Sequence, residues 1–190
     1  MKYRAILIHG YAGVPKDAWR PWLRDELEKR GFLASLPSMP HPNHPKEKEW
    51  VKKIKKEVKH PDENTFLVGH SLGCIAILRY LESLGTNEKI SGAVFVAGFS
   101  DDLNIPVLSP FFETPIKWEA IKTHCKRFTA IYSDNDQWVP MRHAEIFKEK
   151  LNAEIILRKG MKHFSTDDEV EESLKLPSAL TAILNMAKVA

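Results

Sequence analysis

The chain has 190 residues, 43% of them hydrophobic and 28% charged, with 28 Lys and Arg against 25 Asp and Glu for a formal net charge of +3. That size predicts one domain spanning residues 1–190, and so small a basic excess argues against nucleic acid as a partner. No apolar run approaches the ~18 residues that span a bilayer, 1–10 reads as the approach to a strand, and two cysteines imply no disulfide framework, so the expected setting is cytoplasmic and free of membrane.

Short apolar runs alternate with longer helix-period stretches along the chain. The first strand is predicted over 4–9 and a helix over 16–30. A second strand follows at 32–36, then "KEKEWVKKIKKEVKH" from Lys46. There Trp50, Ile54 and Val58 recur every four residues, which makes one buried stripe with the lysines as its solvated face. A third strand at 65–69 runs into a helix over 72–83. The remaining strands are predicted at 93–97, 128–133 and 153–157, with helices over 141–151 and 167–187, the last interrupted at Pro177. Runs such as "AILI", "TFLV" and "AVFVA" are continuous rather than alternating, as in strands buried on both faces of a parallel sheet. The alternation predicts a three-layer α/β sandwich with right-handed crossovers. Residues 99–127, with Pro106, Pro110 and Pro115, break the rhythm and read as irregular chain with a short helix. A long loop at the end of a parallel strand is often functional.

The stretch "LVGHSLGCIAI" sets Ser71 between Gly69 and Gly73 where the third strand meets its helix. Gly-x-Ser-x-Gly in this context describes a nucleophile elbow, a turn so tight that its neighbours must be glycine. A plain serine-capped turn is the alternative. A serine hydroxyl needs a base, and the base an orienting carboxylate; on this kind of sheet they follow in the order Ser, Asp, His on loops after later strands. Of eight histidines, His163 in "GMKHF" alone follows a late strand and is the expected base. His143 is placed on the surface of a charged helix, and His70 is expected to point away from the serine and to pack or hydrogen-bond locally. His9 is expected to order the loop after the first strand, and His124 has no partner in view. His41 and His44 have HxxH spacing, but the prolines around them and the lack of further ligands point to a solvated loop instead of a metal site. For the acid, "SDNDQWVP" offers Asp134 and Asp136; Asp136, just before Val139-Pro140 and a new helix, is favoured, with Asp101 and Asp102 as fallbacks. The amides of Leu72 and of Tyr11, on the loop "HGYAGVPKDAW", are the expected oxyanion-hole donors. Phe111, Phe112 and Trp138 are expected to line the substrate pocket.

The segments "AILIHGYAG", "LVGHSLGC", "SDNDQWVP" and "KHF" resemble the α/β-hydrolases, specifically the small lidless group of retinoblastoma-binding-protein-9-like and YdeN-like serine hydrolases. The resemblance covers nearly the whole chain. It implies a six-stranded parallel sheet of order 2-1-3-4-5-6 without a lid domain, and a triad of Ser71, Asp136 and His163. It implies an esterase or peptidase acting on small acyl substrates without metal or organic cofactor. Gln137 stands where a proline is common in the family, and Lys162 where a glycine is common. The tumour-suppressor-binding Leu-x-Cys-x-Glu motif of the family's eukaryotic namesake is incomplete here, since Ala76 replaces the glutamate. The function expected is hydrolysis of a carboxylic ester, or an amide, through an acyl-enzyme. A peptidase, an acyltransferase, or a protein-binding module on a hydrolase scaffold are the alternatives.

Overall fold

The computed structural model describes residues 2–188. Six strands form one sheet of order β2-β1-β3-β4-β5-β6 among the described residues. They are β1 (Arg4–Ile8), β2 (Leu33–Ser35), β3 (Thr65–His70), β4 (Gly92–Val96), β5 (Phe128–Ser133) and β6 (Glu154–Arg158), and every adjacent pair is parallel. This is the strand order that the family resemblance implies. The central strands β3, β4 and β5 are buried at every position, which accounts for their unbroken apolar runs. The edge strands β2 and β6 are partly exposed and carry polar residues.

The helices are α1 (Arg20–Lys29), α2 (Glu47–Val58), α3 (Leu72–Glu82), α4 (Trp118–His124), α5 (Arg142–Leu151) and α6 (Pro177–Ala187). The contacts pair α1 with α6, and link α2, α3, α4 and α5 in succession. α2 buries Trp50, Ile54 and Val58, the stripe that the spacing predicts. α3 is buried from Leu72 to Leu81, and Arg79 is the one charged residue in that span. The sequence pattern overextends two helices. α1 begins at Arg20, because 16–19 form turns ahead of Pro21. Residues 167–176 are not α-helical. Two short 3-10 turns, Thr166–Asp168 and Glu171–Leu174, occupy that stretch instead.

Arg79 of α3 explains the course of the irregular segment. Its guanidinium is buried and donates to Phe111 O at 2.9 Å and Thr114 O at 2.5 Å, with Glu82 as counter-ion at 2.8 Å. This ties the 3-10 turn Pro106–Phe111 down onto α3 and drives the Phe111 ring into the core against Trp50, 5.8 Å away. No helix of the described residues is long and apolar enough to cross a membrane.

Candidate active site

Ser71 stands at the carboxyl end of the sheet, between β3 and α3, with φ 52° and ψ −121°. Such angles are costly for a residue with a side chain. The surroundings enforce them. The Ser71 amide donates to Val96 O of β4 at 2.9 Å, and α3 begins at the next residue. A Cβ at Gly69 would lie 2.7 Å from the Cys74 nitrogen, and one at Gly73 only 2.5 Å from Ile8 O. Both glycines are therefore sterically required where helix, turn and β1 meet. The Ser71 side chain makes no capping hydrogen bond to its helix, unlike the serine of an ordinary cap. As the first residue of α3, Leu72 has an amide with no intrahelical acceptor.

The loops after β5 and β6 bring Asp136 and His163 together. His163 Nδ1 lies 2.9 Å from Asp136 Oδ2 and 3.1 Å from Oδ1. A carboxylate only accepts, so Nδ1 carries the proton and Nε2 the lone pair. Asp136 is held in turn by the amides of Trp138 at 2.8 Å and Val139 at 3.0 Å, both on Oδ1, and its side chain is 2% exposed. Asp134 serves a different purpose: its carboxylate accepts from Gly160 N at 2.8 Å and closes the turn between the two loops. Asp101 pairs with Arg142 at 3.0 Å and Asp102 accepts from Asn104 N, so neither fallback acid meets His163.

Ser71 and His163 line one cavity of about 600 Å³, together with Tyr11 and Trp138. Its apolar wall comes from Phe99, Leu103, Ile105 and Leu108 of the segment after β4. Two expectations for this wall need correction. Phe111 is fully buried in the core, for the reason given above, and Phe112 packs on Phe99 and faces a separate depression bordered by Ser100 and Ile116. His143 is likewise not on the surface. It is fully buried, its Nδ1 accepts from Ser100 N at 3.2 Å, and burial lowers its pKa. His124 has a partner after all, donating from Nδ1 to Glu88 O at 2.7 Å. His9 does order the loop after β1: Nε2 accepts from Met39 N at 3.0 Å and Nδ1 donates to Gly10 O at 2.9 Å. His70, expected to point away from the serine and to pack or hydrogen-bond locally, is indeed buried with both ring nitrogens partnered, yet it also lines the same cavity, its ring 5.1 Å from that of His163.

The family model described as Serine hydrolase matches residues 5–179. The chain belongs to this serine hydrolase family. The hydrolase YdeN of Bacillus subtilis is 31% identical over 169 residues, covering 88% of this chain and 89% of that protein. The rat serine hydrolase RBBP9 is 28% identical over 186 residues, covering 95% of this chain and 97% of its own length. The crystal structure of YdeN superposes with a TM-score of 0.92 at 29% identity, covering 98% of this chain and all of that one. This chain is thus an α/β-hydrolase-type serine hydrolase similar to both.

The histidine loop has an unusual backbone. Lys162 and Phe164, either side of His163, have φ 45° and φ 58°, left-handed values that favour glycine. The loop is held in this shape by side chains that the sequence pattern does not single out. Asp168, 5% exposed, accepts from His163 N at 2.8 Å and Ser165 N at 3.0 Å through Oδ2. Its Oδ1 accepts from Gln137 Nε2 at 2.8 Å, so Gln137 ties the Asp136 loop to the His163 loop. Lys162 N donates to Asn135 Oδ1 at 2.9 Å, and its Nζ to Asp168 O at 2.9 Å. The only sequence signal for this clamp is Ser165 followed three residues later by Asp168, a capping-box spacing with Asp in place of Glu.

Proposed function

We propose that the chain cleaves a carboxylic ester, or an amide, of a small acyl substrate through an acyl-enzyme. The observation that carries this reading is the single tautomer that Asp136 selects on His163, with Ser71 on the wall of the same cavity. His163 Nε2 takes the Ser71 proton as Oγ attacks the acyl carbon. The carbonyl π-bond opens to an oxyanion, which the amides of Leu72 and Tyr11 stabilise. The bond to the leaving group then breaks, and the His163 imidazolium returns the proton to the departing oxygen or nitrogen. A water molecule repeats the sequence on the acyl-enzyme and frees the acid. Asp136 stays ionised throughout and holds the imidazole in register.

The cavity wall of Phe99, Leu103, Ile105 and Leu108 is the place for the acyl chain. Burying one methylene is worth about 0.8 kcal/mol, so kcat/KM rises up to about fourfold per carbon until the wall is covered. Labelling with a fluorophosphonate, which forms a tetrahedral adduct on an activated serine, tests the reading directly. Wild type is expected to label and Ser71→Ala not, with a p-nitrophenyl ester series then giving the chain-length optimum. A folded wild type that neither labels nor turns over these esters removes the enzyme reading and leaves a binding protein on a hydrolase scaffold.

A further inference from the structure

His70 is the last residue of β3 and directly precedes Ser71. It is 5% exposed, and both its ring nitrogens have partners. Nδ1 faces Arg20 Nη1 at 3.3 Å, and Nε2 faces the backbone carbonyl oxygen of His163 at 2.8 Å. A guanidinium has only donors, so Nδ1 must hold the lone pair. A carbonyl only accepts, so Nε2 must hold the proton. Each neighbour independently selects the same neutral tautomer. A protonated ring would turn an Nδ1–H toward the guanidinium. Burial, with His163 and Arg20 alongside, keeps the His70 pKa well below its usual value. Trp19 packs edge-on against the ring at 6.1 Å and fixes its plane.

Arg20 is itself 1% exposed, and its Nε has no acceptor among the described residues. Its Nη2 donates to Val14 O at 2.9 Å and to Asp17 Oδ2 at 3.3 Å. A buried cation with incomplete partners is costly for stability, so its retention calls for another explanation. The partners supply one. Val14 and Asp17 lie on the loop after β1 that carries Tyr11, and Asp17 also accepts a hydrogen bond from Thr166 Oγ1 on the histidine loop. A continuous hydrogen-bonded path therefore runs from the Tyr11 loop through Arg20 and His70 to the backbone of His163.

We infer that His70, locked by Arg20 in its Nε2–H tautomer, is a positioning residue that holds the His163 carbonyl and so sets the placement of the His163 imidazole over Ser71. The inference rests on the reading of Ser71 and His163 as nucleophile and base. It predicts opposite outcomes for two substitutions of similar size. In His70→Gln the amide nitrogen reaches about as far as Nε2 and still donates to the His163 carbonyl. In His70→Asn the amide oxygen matches Nδ1 and still accepts from Arg20, but nothing reaches the carbonyl.

The experiment compares both variants with wild type for thermal melting, fluorophosphonate labelling rate, and kcat and KM on a p-nitrophenyl ester. Because a misplacement of about 1 Å costs roughly a hundredfold in rate, His70→Asn should lose kcat and labelling rate on that order with KM nearly unchanged, and His70→Gln should lose no more than about fivefold. Equal losses in the two variants, or none in His70→Asn, overturn the inference. Nitrogen NMR of histidine-labelled wild type reads the tautomer without any substitution. Protonated Nε2 with bare Nδ1 on His70 is the expected result, and a proton on Nδ1 overturns the assignment even if neither variant folds. A wild type that does not label overturns the reading of Ser71 and the positioning role with it, whereas a labelling wild type with an unaffected His70→Asn overturns only the latter.

Discussion

Replacing Asp168 by alanine should open the histidine loop. The loop carries two left-handed residues, Lys162 and Phe164, whose backbone costs about 1–2 kcal/mol each, or about 2–4 kcal/mol together. Against this, Asp168 accepts two backbone N–H groups, from His163 and Ser165. Hydrogen bonds to a charged acceptor contribute about 1.5–3 kcal/mol each, so the pair contributes about 3–6 kcal/mol, enough to offset the strain. The bond from Gln137 contributes little beyond this, because that side chain is exposed and water replaces its partner. Without the carboxylate the strain remains and the largest opposing contribution is gone. A loss of about 3 kcal/mol corresponds to somewhat more than a hundredfold in the ratio of ordered to open loop. Fluorophosphonate labelling of Asp168→Ala should therefore slow by at least about tenfold, with hydrogen exchange at the His163 and Ser165 amides accelerating in parallel. Asp168→Asn keeps one oxygen for the two amides and should fall between the variants. Wild-type labelling and unchanged exchange in Asp168→Ala would refute the argument that this carboxylate holds the loop.

Gly73→Ala would place a Cβ 2.5 Å from Ile8 O and 2.8 Å from His9 O. Backbone cannot yield there without moving β1 and the Tyr11 loop, so at least about 1–3 kcal/mol of stability should be lost, read as a lower melting temperature, together with labelling. Asp136→Asn removes the charge that selects the His163 tautomer and should cost about 10³–10⁴ in kcat. Asp134→Asn, an exposed turn residue, should stay within about threefold of wild type in the same ester assay. Three buried histidines, His9, His70 and His143, have pKa values lowered chiefly by burial. In the unfolded chain they titrate near 6.5, so below that pH the unfolded state binds more protons and stability falls as pH falls. Chemical denaturation between about pH 6.5 and 5, above the carboxylate range, should show a slope approaching about 1.4 kcal/mol per pH unit for each of them, and a flat profile would contradict their neutral burial.

Much of this molecule is written locally. Strand and helix order follows from short-range patterning: the unbroken runs of β3 and β4, and the four-residue repeat of Trp50, Ile54 and Val58 on α2. The tight strand-to-helix turn at Ser71 is legible because its steric demands fall on Gly69 and Gly73, within two residues of Ser71. The overextended helix after β6 fails for the same reason in reverse. Asp168 is recruited to the amides of His163 and Ser165, and that pulls 166–168 into a 3-10 turn that periodicity does not reveal.

Contacts between distant parts of the chain decided the rest. Arg79 sends Phe111 into the core, which leaves the cavity wall to Leu103, Ile105 and Leu108. His143 sits in the charged stretch "RHAEIFKEK" yet is fully buried, with Ser100, 43 residues away, donating to its Nδ1. The bond from His70 to the His163 carbonyl spans 93 residues. Residue type and spacing report what a side chain can donate, accept or bury. Its protonated nitrogen and its partner are set by the chain segments that the parallel sheet brings to the same carboxyl edge.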